Sequence, residues 1–175
     1  MARRSGWLVV WLAVVTVGWG ALGHGDERVH EPEGGFSYQK PAGWELQEAP
    51  GLRYRIPFRP SEGYAPNLKL MDEDFEGTLE EYVKNKKATL ATLFPGLHQA
   101  ESTAFETQAG LRGERFSVEV QARDRHLKQM FYLLAGPADR KFMMTCSSLA
   151  DDADASIPTC DATVQTFVLE DQVIE

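Results

Sequence analysis

The sequence predicts an α+β domain in which helices cover a mainly antiparallel β-sheet. Segments with an apolar residue at every second position stand on both sides of one long amphipathic segment. The later segments are joined by short turns, and strands connected so tightly must be antiparallel. Residues 127–134 are apolar at both alternating sets of positions, which indicates a covering layer on each face of that strand. The composition, 43% hydrophobic and 25% charged over 175 residues, suits one globular domain.

Residues 1–23 have the pattern of a secretory signal peptide. Arg3 and Arg4 precede an apolar core over residues 7–17, and small residues occupy positions −3 and −1 of a cleavage site before His24. The alternative is an uncleaved anchor, but a spanning helix needs about 20 apolar residues. The stretch reaches that length only if its glycines are counted. The signal-peptide pattern predicts a periplasmic or secreted protein.

The first half of the remaining chain predicts a leader, several strands and a helix. Residues 24–34 are polar, charged and aperiodic, so we expect a flexible leader before a single domain over residues 35–175. Alternation of apolar and polar residues predicts strands at 36–40, 44–46, 54–58 and 67–71. A helix is predicted from Leu79 to Phe94, because Thr78 and Glu81 form a capping box and Pro95-Gly96 ends the apolar stripe.

The second half predicts a β meander followed by a helix. Strands are expected at 98–107, 115–121, 127–134 and 141–146, separated by turn residues. The last helix is expected from Ala153 to Phe167, with Pro158 as a kink or a late start.

The chain has two cysteines, Cys146 and Cys160, and an even count in an exported chain permits a disulfide. The bond would link the last meander strand to the last helix. It would close a loop of 15 residues, which is worth about 3 kcal/mol in the chain-entropy model. The alternative is two separate buried thiols.

The order of these features resembles the PsbP-type fold and especially its bacterial periplasmic DcrB-like relatives. The resemblance covers most of the mature chain and rests on five segments: the Phe36–Trp44 opening, the Asn67–Leu70 strand, the Thr78–Tyr82 helix start, the meander from Gly110 to Ser147, and the helix near Phe167. It implies an α/β/α sandwich with a central antiparallel sheet. It also implies a role as a binding or assembly factor, and it implies no shared catalytic residues.

No catalytic or cofactor motif stands out in the sequence. There is no G-x-S-x-G elbow and no glycine-rich phosphate loop. The formal charge of −8 without a basic stripe disfavours nucleic-acid binding. His98 or His126 could act as a base with an aspartate in a small hydrolase, but no nucleophile is adjacent in sequence. We therefore expect a protein without catalytic residues or cofactors.

Metal binding is a second alternative. Cleavage before His24 would expose an α-amino group beside an imidazole, a pair that suits copper, and His30 follows six residues later. The acidic clusters at 72–74 and 151–154 could bind calcium. A solubilising leader and favourable helix-dipole contacts explain the same residues without a metal.

Two surfaces are candidates for binding a partner. Lys84, Lys86 and Lys87 form a basic spot on the predicted helix, or else a solvated face. A second candidate is an apolar patch of four side chains, which would be exposed if no second layer covers it: Met130, Tyr132, Leu134 and Met143.

Taken together, these patterns predict an exported, non-enzymatic binding or accessory module of the bacterial envelope. It would dock an unidentified envelope protein or another envelope component. Membrane contact is expected only through an uncleaved N-terminal segment.

Overall fold

The computed structural model describes residues 27–170, so the predicted signal peptide over 1–23 and His24 lie outside the described residues. The elements in chain order are β1 Arg28–Glu31, β2 Phe36–Gln39, β3 Glu45–Gln47, β4 Ile56–Phe58, β5 Asn67–Asp74, α1 Leu79–Leu93, β6 His98–Gln99, β7 Thr103–Glu106, β8 Arg112–Ala122, β9 Arg125–Ala135, β10 Arg140–Leu149, a 3-10 turn Ala150–Asp152, α2 Ala153–Gln165 and β11 Val168–Leu169. Within this part of the chain, neither helix has the length and apolarity that crossing a membrane requires.

The strands form one large sheet and one small sheet. The large sheet has eight strands in the order β3-β4-β5-β10-β9-β8-β6, and β7 also pairs with β8. The small sheet has the order β1-β2-β11. Every strand pair in both sheets is antiparallel. The predicted α+β class with a mainly antiparallel sheet is therefore confirmed.

Each face of the large sheet carries its own covering layer. On the α1 face, Phe116, Phe131 and Leu133 pack against Tyr82 and Val83 of the helix. On the α2 face, the side chains of β9 and β10 pack against α2 and the small sheet, in a cluster that includes Phe36, Tyr132, Leu134, Met144 and Phe167. Full burial of one such side chain is worth about 2 kcal/mol. The two layers explain why β9 is apolar at every position from 130 to 134.

The predicted flexible leader over 24–34 is wrong from residue 28 onward. Residues 28–31 form β1, in which Val29 lies opposite Tyr38 of β2 and is only 3% exposed. Glu31 is also buried and accepts a hydrogen bond from Arg55 Nε at 3.0 Å. The folded body therefore begins before residue 35. Val29 is a single apolar residue in a charged segment, so the segment shows no alternation that would predict a strand. Its burial depends on tertiary contacts.

The structure confirms α1 and its start. Glu81 N donates to Thr78 Oγ1 at 3.1 Å, and Thr78 N donates to the Glu81 carboxylate at 2.8 Å, which completes the capping box. These hydrogen bonds from Thr78 hold the pKa of Glu81 below its usual value. The helix ends at Leu93, and Phe94 is its C-cap.

The last helix also forms, over Ala153–Gln165. It ends two residues before the predicted Phe167, and Pro158 lies within it. Cys160 of α2 and Cys146 of β10 form the expected disulfide, with a Cα–Cα distance of 6.1 Å and both side chains fully buried. The helix is thus covalently attached to the strand beneath it.

We predict that the double variant Cys146→Ala/Cys160→Ala loses about 3 kcal/mol of unfolding free energy, because its unfolded chain is no longer cross-linked. Urea titration measures this loss. Reductant present during unfolding should bring the wild type close to the variant and leave the variant unchanged. Equal unfolding midpoints for wild type and variant would contradict a stabilising role of this disulfide.

Candidate functional site

A groove runs along α2, between the helix and two loops. Its volume is about 510 Å³. Its lining residues are Gln39, Lys40, Pro41, Ala42, Gln108, Pro158, Thr159, Ala162, Thr163, Gln165 and Thr166. The lining contains no carboxylate although the chain is acidic overall. We call this feature the α2 groove.

The inner wall of the α2 groove is fixed because α2 is attached to the sheet by a polar contact as well as by the disulfide. Asp161 Oδ1 accepts hydrogen bonds from Tyr132 Oη at 2.7 Å and from Arg115 Nη1 at 2.6 Å. Burial, and then the hydrogen bond to Asp161, raise the pKa of the Tyr132 phenol far above its ordinary value, so it remains a neutral donor. Hydrogen bonds to a charged group are each worth about 2 kcal/mol.

Main-chain hydrogen bonds fix the outer walls. Gln39 N donates to Thr166 Oγ1 at 2.8 Å, and Gln108 N donates to Gln165 O at 2.8 Å. Lys40 Nζ donates to Trp44 O at 2.6 Å, so the lysine is partly used within the protein. The end of β2, the loop after β7 and the end of α2 are therefore held together by backbone groups and by the Thr166 hydroxyl.

The side chains of the three glutamines at these positions are left available. Within residues 27–170, the side-chain amides of Gln39, Gln108 and Gln165 make no hydrogen bond, although each offers two donors and one acceptor. Such groups can both donate hydrogen bonds to and accept them from polar partners. Ala42 and Ala162, both exposed, contribute small apolar surface on the two sides of the groove.

A second, larger cavity of about 890 Å³ lies between the turn after β1 and the loop between β3 and β4. Most of its charged groups are paired within the protein. Arg55 binds Glu31 at 3.0 Å, and Arg53 lies 3.6 Å from Asp72. The ion pairs around this cavity therefore fix the turn between β1 and β2. We call this group of ion pairs the bracket.

Asp72 is the centre of that bracket. It accepts from Arg140 Nε at 2.8 Å and from Tyr54 Oη at 2.7 Å. Burial and the hydrogen bond to Asp72 raise the pKa of Tyr54 to about 12. Burial alone would raise the pKa of Asp72, but hydrogen bonds from Tyr54 and Arg140, with the charges of Arg140 and Arg53, outweigh it and hold that pKa below its usual value.

The predicted apolar docking patch is wrong. Tyr132 and Leu134 are fully buried, and the half-buried Met130 packs against the same cluster. Met143 lies opposite Leu133 on the α1 face, so it does not share a face with the other three. The second covering layer, which the sequence left open as the alternative, is what the structure contains.

The basic spot on α1 is not a free surface. Lys87 Nζ donates to Ala100 O at 2.9 Å and lies over the Phe116 ring. Lys86 pairs with Glu73 and lies over the Tyr82 ring. Lys84 remains exposed, so a partner contact on this helix stays a prediction for Lys84 alone.

The three histidines among the described residues lie apart from one another. His30 Nδ1 is 2.6 Å from Glu170 Oε1, and His126 Nε2 is 3.4 Å from Glu119 Oε2 with 54% of its side chain exposed. His98 is exposed on the edge strand β6. Among the described residues, no group of three or more His, Cys, Asp or Glu side chains could hold a metal ion. A copper site at His24 lies outside the described residues and stays a prediction.

Sequence reasoning missed the α2 groove. Its glutamines, threonines, prolines and alanines match no catalytic or ligand-binding motif, and they come from three separate segments. The only available signal was compositional: the last predicted helix carries few charges after Asp161.

Comparison with solved structures shows the fold. CyanoP, the PsbP of the cyanobacterium Synechocystis sp. PCC 6803, matches with a TM-score of 0.62 at 14% identity, covering 86% of this chain and 96% of that one. LpqN of Mycobacterium tuberculosis, described as involved in cell envelope biogenesis, matches with a TM-score of 0.63 at 12% identity, covering 81% and 88%. The yeast Ran-binding protein Mog1p matches with a TM-score of 0.56 at 13% identity, covering 82% and 94%.

The expected PsbP-like fold is thus confirmed, and the finer likeness to DcrB-like proteins stays a prediction. No protein-family model matches the chain, and no curated protein matches it in sequence.

We predict that Asp72→Asn lowers the unfolding free energy at neutral pH by about 2 kcal/mol, because hydrogen bonds to a charged acceptor are lost. The pKa of Asp72 is lowered in the folded state, so its contribution is present above its ordinary pKa of 3.8 and is lost as the pH falls through the folded value. Urea titration of the variant at falling pH should therefore show a shallower acid loss than in wild type. Asp74→Asn, at an exposed neighbour on β5, is the control; an equal effect from both substitutions would argue against the bracket.

Proposed function

We propose that this protein is an exported, non-enzymatic binding module of the bacterial envelope, and that it holds an uncharged, extended segment of a partner protein in the α2 groove. The observation that carries the proposal is that three side-chain amides, from Gln39, Gln108 and Gln165, converge on one groove without carboxylates and have no hydrogen-bond partner among residues 27–170.

The lining favours a peptide over a glycan. Peptide main chains present alternating donors and acceptors, and a glutamine amide supplies both. The residues that line the α2 groove include no aromatic ring on which a sugar could stack. Proline and alanine side chains supply shallow apolar contacts, which suit small or extended segments. An uncharged segment is favoured because the single cation, Lys40, already donates to Trp44 O.

Export is supported by two independent features. Residues 1–23 have the signal-peptide pattern. The buried Cys146–Cys160 disulfide is of the kind that persists in oxidising compartments. LpqN, a protein of the same fold, is described as involved in cell envelope biogenesis, and Mog1p is described as a Ran-binding protein. These descriptions are consistent with a binding role in the envelope.

The residues considered for catalysis do not favour an enzyme. Neither His98 nor His126 lines the α2 groove. The carboxylate partner of His126 is an exposed glutamate rather than an aspartate in a cleft. Several of the described polar contacts are explained by capping, by fixing the β1–β2 turn and by attaching α2.

We predict that a photo-cross-linking residue at Ala42, on the rim of the α2 groove, forms an adduct with one envelope protein in cells. Ala162→Trp should reduce the adduct about tenfold, which corresponds to about 1.4 kcal/mol, because the indole fills the groove. Mass spectrometry of the adduct would identify the partner segment.

The matched control is Ala91→Trp, which places the same side chain at an exposed alanine on α1. Both variants should retain the wild-type urea midpoint. An adduct that survives Ala162→Trp, or that Ala91→Trp reduces equally, would refute docking in the groove.

A further inference from the structure

Strand β7 lies at an edge of the large sheet. Among the described strands it pairs with β8 alone. A strand in this position presents main-chain donors and acceptors on its outer side, where another extended segment can pair with them. The other edge strands of this sheet are shorter, since β3 has three residues and β6 has two. The carbonyl of Ala100, just after β6, already accepts from Lys87 Nζ.

The register of β7 on β8 shows which main-chain groups point outward. Thr107 N donates to Leu111 O at 3.0 Å, so these two residues form a hydrogen-bonded pair at the end of the ladder. Hydrogen-bonded and non-hydrogen-bonded pairs alternate along an antiparallel ladder. Glu106 and Ala104 therefore lie in non-hydrogen-bonded pairs, and their N–H and C=O groups point away from β8. Within residues 27–170, no loop or side chain hydrogen-bonds to these groups.

A cavity of about 540 Å³ adjoins β7 on the face of the sheet that α1 covers. Glu114 of β8 lies opposite Leu133 of β9, whose side chain packs beneath α1, so Glu114 is on that face. Ala104 lies opposite Glu114 and therefore shares the face. The lining residues of the cavity include Leu79, Ala104, Phe105, Glu106, Arg112 and Glu114. An extended segment added to β7 would thus have a side-chain cavity beside it.

The cavity carries a net negative charge. Its charged lining residues are Glu106, Glu114 and Arg112, and none of the three forms an ion pair with another described residue. Arg112 lies opposite Glu106 in the ladder and offsets that carboxylate. Glu114 lies opposite Ala104, so one negative charge remains beside the smallest side chain of β7. Glu80, which follows Leu79 and is exposed, adds to the negative charge at the start of α1.

We propose that the outer edge of β7 binds an extended basic segment of a partner protein, which adds to the large sheet as a further strand. The main chain of the segment pairs with the outward groups of Ala104 and Glu106. A lysine or arginine opposite Ala104 extends over the methyl group into the cavity, where its charge meets Glu114 and its aliphatic stem packs against Leu79. In strand addition, main-chain hydrogen bonds give affinity, and the cavity for a side chain gives specificity.

A second copy of this chain fits the same edge less well. If two β7 strands pair through their outward groups about Phe105, Ala104 of one copy lies opposite Glu106 of the other. Glu106 of each copy then lies beside Glu114 of the other copy, and like charges at such positions destabilise a strand pair. The charge of the cavity therefore favours a basic segment of another protein.

The inference goes beyond the proposed function and does not rest on it. No residue of β7 lines the α2 groove, and the cavity beside β7 shares no lining residue with that groove. Glu106→Pro, described below, should therefore leave the cross-link from Ala42 unchanged. Failure of strand addition would not count against the groove, and failure of the groove would not count against strand addition.

The test is an NMR titration of the purified, isotope-labelled exported chain with two blocked pentapeptides, Thr-Val-Lys-Val-Thr and Thr-Val-Glu-Val-Thr. Both peptides favour an extended conformation, and they differ only in the charge of the central residue. We expect the lysine peptide to shift the amide signals of Ala104 and Glu106 and to slow their hydrogen exchange. It should bind about tenfold more tightly than the glutamate peptide, because one charge is attracted by the cavity and the other repelled.

Two substitutions at one position separate the main chain from the side chain. Glu106→Pro removes an outward N–H group but no hydrogen bond to β8, and proline is tolerated on an edge strand in that orientation. Glu106→Ala is the matched control, because it removes the same carboxylate and keeps the N–H group. The proline variant should bind the lysine peptide about tenfold more weakly than the alanine variant, which corresponds to about 1.4 kcal/mol. Both variants should keep the wild-type urea midpoint.

A third variant tests the cavity without touching β7. Glu114→Gln removes the charge and keeps the shape of the side chain, so it should reduce the preference for the lysine peptide over the glutamate peptide. The signals of Ala104 and Glu106 should still shift on binding.

Four outcomes would overturn the proposal. They are unchanged amide signals of Ala104 and Glu106 with the lysine peptide, equal affinity for the two peptides, equal binding by Glu106→Pro and Glu106→Ala, and a concentration-dependent dimer that Glu106→Pro abolishes. The last outcome would assign the edge of β7 to a second copy of the chain instead of to a basic segment.

Discussion

The attachment of α2 to the large sheet is the constraint on which the rest of the structure depends. Strand β9 is apolar at both alternating sets of positions, so both of its faces need cover, and α2 with the small sheet supplies the cover on one of them. The helix is held there by the Cys146–Cys160 bond and by Asp161, which accepts from Tyr132 and Arg115. A covalent bond and a charged acceptor thus act on the same helix, within one residue of each other.

The position of α2 also determines the small sheet and the groove. Strand β11 follows α2 directly and pairs with β2, and β2 in turn pairs with β1. The polar contacts between Gln39 and Thr166, and between Gln108 and Gln165, then close the two outer walls. If α2 moved, the core on that face, the three-stranded sheet and the α2 groove would change together. The proposed binding surface is therefore a consequence of the fold's main packing contact.

Local signals in the sequence predicted the elements whose causes are local. The Thr78–Glu81 capping box and the Pro95-Gly96 stop define α1 without tertiary information, and alternation defines the meander. The even cysteine count and the adjacency of strand and helix permitted the disulfide that the structure contains. These signals were sufficient to predict the α+β class. The resemblance to the PsbP-type fold was sufficient to predict the architecture that the comparisons confirm.

The remaining features depend on contacts between distant segments. Whether the Tyr132 face is covered or exposed cannot be read from β9 alone, because an apolar strand looks the same in either case. Strand β1 exists because Val29 finds a buried position beside Tyr38. The lysines of α1 fold back onto Ala100 and Glu73, which helical spacing does not reveal. Apart from Lys40, the α2 groove combines uncharged residues from three segments, and these residues form no recognisable sequence motif.

The most direct test of the central claim is hydrogen exchange of the backbone amides of the native protein, followed residue by residue. If α2 closes one face of the sheet as described, the β9 amides from Met130 to Leu134 exchange only through global unfolding, and reduction of the disulfide lowers their protection together with that of α2. Protection of these amides no greater than that of the two-residue edge strand β6, or protection of β9 that does not change when α2 is released, would contradict the account.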